Sequence, residues 1–272
     1  MHPERVVVAD CARRLVQALG PAPKLAVVLG SGLGNLVDRL EAPVSVPYGD
    51  VGLPDVTVPG HAGRLVVGRL GGARVVLMSG RVHLYEGREP EVVVRAVRAL
   101  HAWGVAQLLL TCSVGGIRED LIPGRLVVLT DHLNLMGRSP LTGPAYGNRF
   151  PDMGSCWSPR LRAALAEAGR RRGVVLAEGV LAAMPGPAYE TPAEVRMAQR
   201  LGADVVGMST VPEVLAAAEI GFETAGLALV SNRAAGLGNA ALDHADVTAV
   251  ARSAAASFGG VIEEVAGALC AE

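Results

Sequence analysis

The sequence predicts an α/β protein: a single domain with a central mixed, mostly parallel twisted sheet and helices on both of its faces. The main observation is that short apolar runs alternate with longer amphipathic stretches, as strands and helices do in this class. A second observation is that glycine-rich turns follow several of the apolar runs. We expect one domain over residues 1–272, because no repeat, low-complexity segment or linker divides the chain.

Amphipathic periodicity predicts six helices. The first covers residues 4–19 and ends before Gly20 and Pro21. The other five are expected at 90–103, 158–172, 191–201, 211–220 and 245–268. The clearest start lies at Thr191, where Glu194 completes a capping box and a proline occupies the first helical position.

Apolar runs of strand length predict eight strands, at 25–29, 64–70, 73–78, 107–111, 125–131, 179–184, 204–207 and 224–231. Ligands of parallel sheets bind at the carboxyl ends of the strands, and most of the polar motifs of this chain follow a predicted strand. The segment 133–157 is rich in Gly, Pro, Asn and Arg, and a loop of this length in a compact domain is expected to be functional.

Composition excludes several classes of partner. A net charge of -1 argues against a nucleic-acid partner, since such proteins use excess positive charge. No apolar run approaches the roughly 20 residues that span a bilayer, and the N-terminus has no signal-peptide core, so we expect a cytoplasmic protein without a membrane partner. The cysteines are far apart and are not at metal-ligand spacing with a histidine, which predicts reduced thiols and no metal: Cys11, Cys112, Cys156 and Cys270.

A glycine-rich turn, Gly30-Ser31-Gly32-Leu33-Gly34, follows the first predicted strand. Such glycines permit a sharp turn and expose N–H groups to an anion, and Ser31 adds a hydroxyl. The single lysine, Lys24, precedes the strand, so the chain has no P-loop. Asn35 stands where a dinucleotide-binding loop has its third glycine, which argues against a nicotinamide cofactor. A phosphate site and a plain strand-to-helix turn are both compatible with this loop alone.

Arg81, His83 and Tyr85 alternate after the strand at 73–78, so an extended backbone would point all three the same way. The arginine fork matches phosphate oxygens, the histidine can add a donor, and the tyrosine carries a hydroxyl on an apolar ring. His61 lies between two glycines, a pattern that fits either close approach to a ligand or an exposed turn.

Further candidates lie at other strand ends. Glu190 beside Tyr189 can bind a flat heterocycle, since the aromatic ring packs on its face and the carboxylate accepts from N–H groups on its edge. Alternatively, Glu190 is only a negative charge that the dipole at the start of a helix favours. Asn232 offers a donor and an acceptor at the end of a strand. Ser113 precedes paired glycines that either expose N–H groups or form a plain turn. His244, taken alone, fits a capping or surface residue.

Three longer motifs carry a family resemblance: G-R-x-H-x-Y-E-G at 80–87, P-G-P-x-[FY]-E-T-x-A-E at 185–194, and G-A-D-x-V-G-M-S-T-V-P-E at 202–213. In this order and spacing, the chain resembles the purine nucleoside phosphorylase family in its trimeric, 6-oxopurine-preferring branch. The resemblance runs from about residue 25 to the final helix. It implies reversible phosphorolysis of inosine, guanosine and their 2'-deoxy forms through an oxocarbenium-like transition state. It also implies inorganic phosphate as cosubstrate, no cofactor, a homotrimer and a role in purine salvage.

The resemblance also implies roles for individual residues. The family's phosphate pocket maps onto Ser31, His61, Arg81, His83, the backbone of Ser113, and Ser209. Its ribose contacts map onto Tyr85, Met208 and His244, and its base contacts map onto Tyr189, Glu190, Val206 and Asn232. Phe150 matches the phenylalanine that reaches a neighbouring subunit's active site. The catalytic set implied is Asn232, Glu190 and His83.

Three positions depart from the family pattern. Cys112 and Ser113 replace an asparagine and an alanine, Tyr189 replaces a phenylalanine, and Arg233 follows Asn232 where relatives vary. The nearest alternative is a methylthioadenosine phosphorylase, which should carry an acid at position 232 and an apolar residue at 244. Another alternative is a non-catalytic nucleoside-binding protein on the same fold, which should lose its phosphate-binding residues first.

Overall fold

The computed structural model describes residues 2–143, 150–238 and 244–270. Its strands are β1 Leu25–Leu29, β2 Glu41–Pro47, β3 Arg64–Leu70, β4 Ala73–Ser79, β5 Gln107–Gly116, β6 Leu126–Asn134, β7 Leu176–Ala183, β8 Val205–Gly207 and β9 Glu223–Arg233. Its helices are α1 Pro3–Leu19, α2 Pro90–Val93, α3 Arg95–Trp103, α4 Pro159–Arg172, α5 Pro192–Arg200, α6 Val211–Glu219 and α7 His244–Cys270. Short 3₁₀ helices lie at Gly34–Arg39, Gly49–Val51 and Leu84–Glu86.

The predicted helices and strands are all present, with two differences. The helix predicted at 90–103 is divided at Val94, so that α2 and α3 are separate. Strand β2 was not predicted, because it is an exposed edge strand in which only Val46 is buried. It also contains prolines at 43 and 47, and proline is tolerated in a sheet mainly at edges. The capping box predicted at Thr191 and Glu194 is confirmed at the start of α5.

The strands form one sheet in the order β2-β3-β4-β1-β5-β8-β7-β6-β9. An additional pairing of β5 with β9 joins β5, β8, β7, β6 and β9 into a closed ring. Within the described ranges, five strand pairings are parallel and four are antiparallel, which confirms a mixed, mostly parallel sheet.

Helices cover both faces of the sheet, as predicted. On β1, Ala26 and Val28 belong to the core shared with α1, α3 and α6. Their neighbours Leu25, Val27 and Leu29 belong to the core shared with α4 and α7. The alternation follows from the two-residue period of a strand, which sends successive side chains to opposite faces. None of the helices in the described ranges is long and apolar enough to cross a membrane.

Four neighbouring strands, β4, β1, β5 and β9, run parallel to one another. Their carboxyl ends therefore lie side by side at one edge of the sheet, at Ser79, Leu29, Gly116 and Arg233. The turns that follow β1 and β4 start at this edge, and the last residues of β5 and β9 reach it. Because ligands of such sheets bind at the carboxyl edge, this arrangement locates the candidate site.

Candidate active site

One cavity lies at this edge of the sheet and brings together residues from distant parts of the chain. Eleven of the residues predicted for the site line it: Ser31, Arg81, His83, Tyr85, Ser113, Tyr189, Glu190, Val206, Met208, Ser209 and Asn232. Six further residues complete the wall: Gly30, Cys112, Val114, Gly115, Gly207 and Ser231.

The turn after β1 is held against β5 by close packing and by two hydroxyls. A Cβ atom at Gly30 would lie 2.9 Å from the Cα of Cys112, so a larger residue would not fit between the strands. The Gly30 N–H donates to Thr111 Oγ1 at 3.0 Å, and Ser113 Oγ donates to the Ser31 carbonyl at 3.0 Å. The chain therefore places Ser31 at the cavity through contacts with β5.

His61 lies behind Ser31 and is not part of the cavity wall. Its Nε2 is 3.3 Å from Ser31 Oγ, and its Nδ1 is 3.2 Å from the backbone N of Arg81. Burial, together with the neighbouring His83 and Arg81, lowers the pKa of His61 to about 4. His61 is therefore neutral at neutral pH. Its contact with the cavity is indirect, through its hydrogen bond with the Ser31 hydroxyl.

Arg81 is buried on the cavity wall and its guanidinium has three partners. Nη1 donates to Thr210 Oγ1 and to Glu213 Oε1, each at 3.2 Å, and Nη2 donates to the Thr111 carbonyl. Thr210 has a φ of 78°, a strained backbone for a β-branched residue, and its N–H donates to Glu213 Oε2 at 2.7 Å. The role of Glu213 was not predicted from the sequence, although this glutamate ends the motif at 202–213.

His83 is held from one side by Glu86. His83 Nδ1 lies 3.0 Å from Glu86 Oε1, which also accepts the His83 N–H at 2.6 Å. Burial by itself would raise the pKa of Glu86, but hydrogen bonds from His83 and Thr57 outweigh it and lower the pKa to about 2. Glu86 is therefore ionised, and it fixes the orientation of the His83 ring.

The rings of His61, His83 and Tyr85 form a stack. The ring centroids of His61 and His83 are 5.4 Å apart, and those of His83 and Tyr85 are 4.6 Å apart with 12° between the planes. The fully extended backbone predicted for 81–85 is wrong at its end, because Leu84–Glu86 is a 3₁₀ turn. Arg81, His83 and Tyr85 nevertheless all line the cavity.

Glu190 is 9% exposed, and its Oε1 has no hydrogen-bond partner among the described residues. Burial raises the pKa of this carboxyl. The capping role at the start of α5 belongs to Glu194, so the helix does not use Glu190 as its cap. Because an unpartnered buried carboxylate oxygen is costly, its position on a cavity wall indicates a ligand that donates a hydrogen bond.

Asn232 has a defined partner at each end of its amide. Its Oδ1 accepts from Ser231 Oγ at 2.7 Å, and its Nδ2 donates to the Arg233 carbonyl at 2.9 Å. Gly115 lies beneath it on β5, where a Cβ would come within 3.4 Å of Nδ2. The Arg233 side chain is directed away from the cavity, toward backbone carbonyls at 117–121.

The departures Cys112 and Ser113 both lie on the cavity wall. Burial raises the pKa of the Cys112 thiol, which keeps it protonated at neutral pH.

In the described part of the chain, no three His, Cys, Asp or Glu side chains are grouped so that they could hold a metal ion.

Besides His61, two predicted site residues are not placed in the cavity wall. Phe150 is 94% exposed and is not in the cavity wall of the single chain. His244 is the first residue of α7, and its side chain lies outside the described part of the structure. The residues 144–149 that precede Phe150 also lie outside it.

Comparisons with known proteins agree with the geometry. Residues 24–266 match the family model described as "Phosphorylase superfamily". Purine nucleoside phosphorylase 1 of Geobacillus stearothermophilus is 44% identical over 258 residues, which cover 93% of this chain and 94% of that protein. Purine nucleoside phosphorylase of Mycobacterium tuberculosis is 44% identical over 263 residues, which cover 94% and 95%.

Solved structures give the same result. The purine nucleoside phosphorylase of Schistosoma mansoni in complex with inosine superposes with a TM-score of 0.90 at 31% identity, covering 96% of each chain. Its isoform 2, in complex with cytosine and ribose-1-phosphate, superposes with a TM-score of 0.91 at 33% identity, covering 97% of this chain and 96% of that one. This chain therefore belongs to the phosphorylase superfamily, and within it to the purine nucleoside phosphorylases.

Proposed function

We propose that this protein cleaves 6-oxopurine nucleosides, namely inosine, guanosine and their 2'-deoxy forms, with inorganic phosphate. The products are the free purine and ribose 1-phosphate or its deoxy form. One observation carries the proposal: a single cavity joins Arg81 and His83, which suit a phosphate, with Glu190 and Asn232, which suit a purine edge. The proposal includes activity without a cofactor and a role in purine salvage in the cytoplasm.

Phosphate is proposed to bind at the end of the cavity formed by the turns after β1 and β4. Arg81 and His83 supply charge-assisted donors for phosphate oxygens. The Ser31 and Ser209 hydroxyls and the backbone N–H of Ser113 add donors without charge. His61 acts through Ser31, to which it is hydrogen bonded.

The purine is proposed to bind against Glu190. Hypoxanthine and guanine carry a hydrogen on N1, and guanine adds a 2-amino group, so both can donate to the unpartnered carboxylate oxygen. Adenine has an acceptor at N1, which would leave two acceptors facing each other in a buried site. Tyr189 and Val206 are proposed to contact the faces of the base.

In the proposed reaction, a phosphate oxygen forms a bond to the anomeric carbon while the bond from that carbon to N9 breaks. The electron pair of the broken bond goes to the purine, and positive charge develops on the sugar, as in other glycosyl transfers. Asn232 would stabilise the negative charge at O6 and N7 of the leaving base. The bound phosphate dianion would face the cationic sugar and stabilise it.

Tyr85, Met208 and His244 are proposed to contact the ribose, and Phe150 to cover it from a neighbouring subunit of a homotrimer. Tyr85 and Met208 line the cavity next to the phosphate residues. The exposure of Phe150 supports the second part, because an aromatic ring left 94% exposed in one chain gains from burial against another copy.

Neither alternative fits the site as well. A methylthioadenosine phosphorylase should present an acid where Asn232 stands on the wall. A non-catalytic binding protein would have no need for Ser31, Arg81 and His83 in one cavity, yet all three line it.

The deciding experiment measures hypoxanthine released from inosine by the purified protein, with and without phosphate. We expect release that requires phosphate, yields ribose 1-phosphate and persists in the presence of a chelator. The Asn232→Ala variant, purified in parallel, controls for a contaminating host enzyme and should lose a factor of about 10²–10³ in kcat. No release, or equal release without phosphate, would exclude the proposal.

A further inference from the structure

We infer that Arg233 sets the base preference of this enzyme without touching the base, by holding the Asn232 amide in one orientation. The inference rests on the proposed function, since it concerns the discrimination of 6-oxo from 6-amino purines at the same site. Arg233 is a positioning residue in this account, because it acts through Asn232.

The Arg233 carbonyl selects the orientation of the Asn232 amide. It accepts from Asn232 Nδ2 at 2.9 Å. If the amide were turned over, Oδ1 would take the place of Nδ2 and two acceptors would face each other without a proton. The Ser231 hydroxyl does not impose this choice, because it can donate either to Asn232 Oδ1 at 2.7 Å or to the Val114 carbonyl at 3.2 Å.

The Arg233 side chain holds that carbonyl in place. Its Nη1 donates to the carbonyls of Arg118 at 2.6 Å, Leu121 at 3.2 Å and Glu119 at 3.3 Å, and its Nη2 donates to the carbonyl of Ile117 at 3.3 Å. The planar fork of arginine suits such a cluster of acceptors, whereas lysine presents a single point charge. The last residue of β9 is therefore clamped to the turn at 117–121.

This turn is itself anchored beside the purine end of the cavity. The N–H groups of Ile117 and Arg118 donate to the Asp204 carbonyl at 2.9 and 3.1 Å, and Arg118 Nη1 pairs with Asp204 Oδ1 at 3.0 Å. Asp204 precedes β8, which carries Val206 on the cavity wall. Arg233 therefore ties the strand of Asn232 to the strand of Val206 through one turn.

A fixed amide discriminates where a free amide does not. A 6-oxopurine presents an acceptor at position 6, and a 6-aminopurine presents a donor there. An asparagine that turns over freely can match either base by exchanging its two ends. With the orientation held by Arg233, the donor end faces position 6, and a 6-amino group meets another donor.

The test compares kcat/KM for inosine and for adenosine in Arg233→Ala and Arg233→Lys. We expect the inosine-to-adenosine ratio of kcat/KM to fall about tenfold in Arg233→Ala, a change of the size expected for the loss of one net hydrogen bond. The ratio should fall less in Arg233→Lys. The matched control is Arg160→Ala, since Arg160 pairs with Glu223 at 2.6 Å at the other end of β9. This control should leave the ratio unchanged.

A ratio in folded Arg233→Ala equal to that of the wild type would overturn the inference. If Arg233→Ala does not fold, the ratio in Arg233→Gln decides in the same way, because glutamine retains only part of the donor set. Wild-type protein that does not cleave inosine would instead overturn the proposed function, so the two failures are distinguishable.

Discussion

The guanidinium of Arg81 lies 3.2 Å from the carboxylate of Glu213, and the two side chains are 3% and 5% exposed. The cation at the proposed phosphate site is therefore already paired inside the protein. His83 Nδ1 lies 3.0 Å from Glu86 Oε1. A bound phosphate would join the Arg81–Glu213 ion pair and the His83–Glu86 hydrogen bond as a third member, so the two carboxylates affect how strongly the site attracts an anion.

Replacing Glu213 should weaken the ligand-free protein more than the phosphate-bound protein. Glu213→Gln leaves the Arg81 charge buried without its counter-ion, and breaking a buried pair costs about 3–5 kcal/mol. Phosphate would supply the missing negative charge. Urea unfolding with and without phosphate measures this, and we expect phosphate to stabilise the variant more than the wild type. Equal stabilisation of both would show that Glu213 does not compensate the charge at this site.

Asn232→Asp should shift preference toward 6-aminopurines. The aspartate removes the donor proposed to meet O6 and offers an acceptor to a 6-amino group. Inosine turnover should fall by about 10²–10³ in kcat, as for loss of one such donor, while the ratio of adenosine to inosine turnover rises. An unchanged ratio would contradict the role given to Asn232.

Glu190→Gln should stabilise the ligand-free protein and impair purine binding. Because the folded pKa of Glu190 is raised, the folded state holds its proton more tightly than the unfolded state, and stability from this group falls as pH rises above about 4.5. The glutamine removes that loss, and urea unfolding at neutral pH should show it. Inosine kcat/KM should fall by a factor that corresponds to about 1–3 kcal/mol. A variant both less stable and fully active would refute this account.

Glu86→Gln should remove part of the acid sensitivity of the fold. The folded pKa of Glu86 is about 2, below its ordinary 4.5, so its stabilisation is present above pH 4.5 and is lost as pH falls toward 2. Unfolding followed between pH 5 and 2, a range set by this shift, should show a shallower loss in the variant. The KM for phosphate should rise, because the His83 ring loses the negative charge of its partner. Parallel curves for both proteins would argue against the assigned pKa shift.

Ser113→Ala should weaken phosphate binding while kcat changes little. It restores the alanine of the family pattern and removes the hydrogen bond from Ser113 Oγ to the Ser31 carbonyl. One such bond is worth about 0.5–1.5 kcal/mol, so KM for phosphate should rise about two- to tenfold. Ser45→Ala on exposed β2 is the control. If Ser113→Ala has the wild-type KM, another contact sets the position of Ser31.

The local sequence pattern was sufficient to predict most of the helices and strands. Strand β1 is a continuous apolar run and α5 begins with a capping box, so both are visible in the sequence. Strand β2 is not, because its exposed edge position removes the apolar signal that marks buried strands. The 3₁₀ turn at Leu84–Glu86 was also missed, since it depends on the Glu86 side chain accepting the His83 N–H.

The sequence by itself determined the chemistry available to this protein. Its ordered motifs contain Arg81, His83, Glu190 and Asn232, and their side chains define what the site can donate and accept. Only the tertiary structure decided which groups are paired and how they are oriented. The pairing of Arg81 with Glu213, and the clamp of Arg233 on the turn at 117–121, join residues more than 100 positions apart. Such contacts depend on strand order and closure of the β5–β9 ring, which local pattern does not encode.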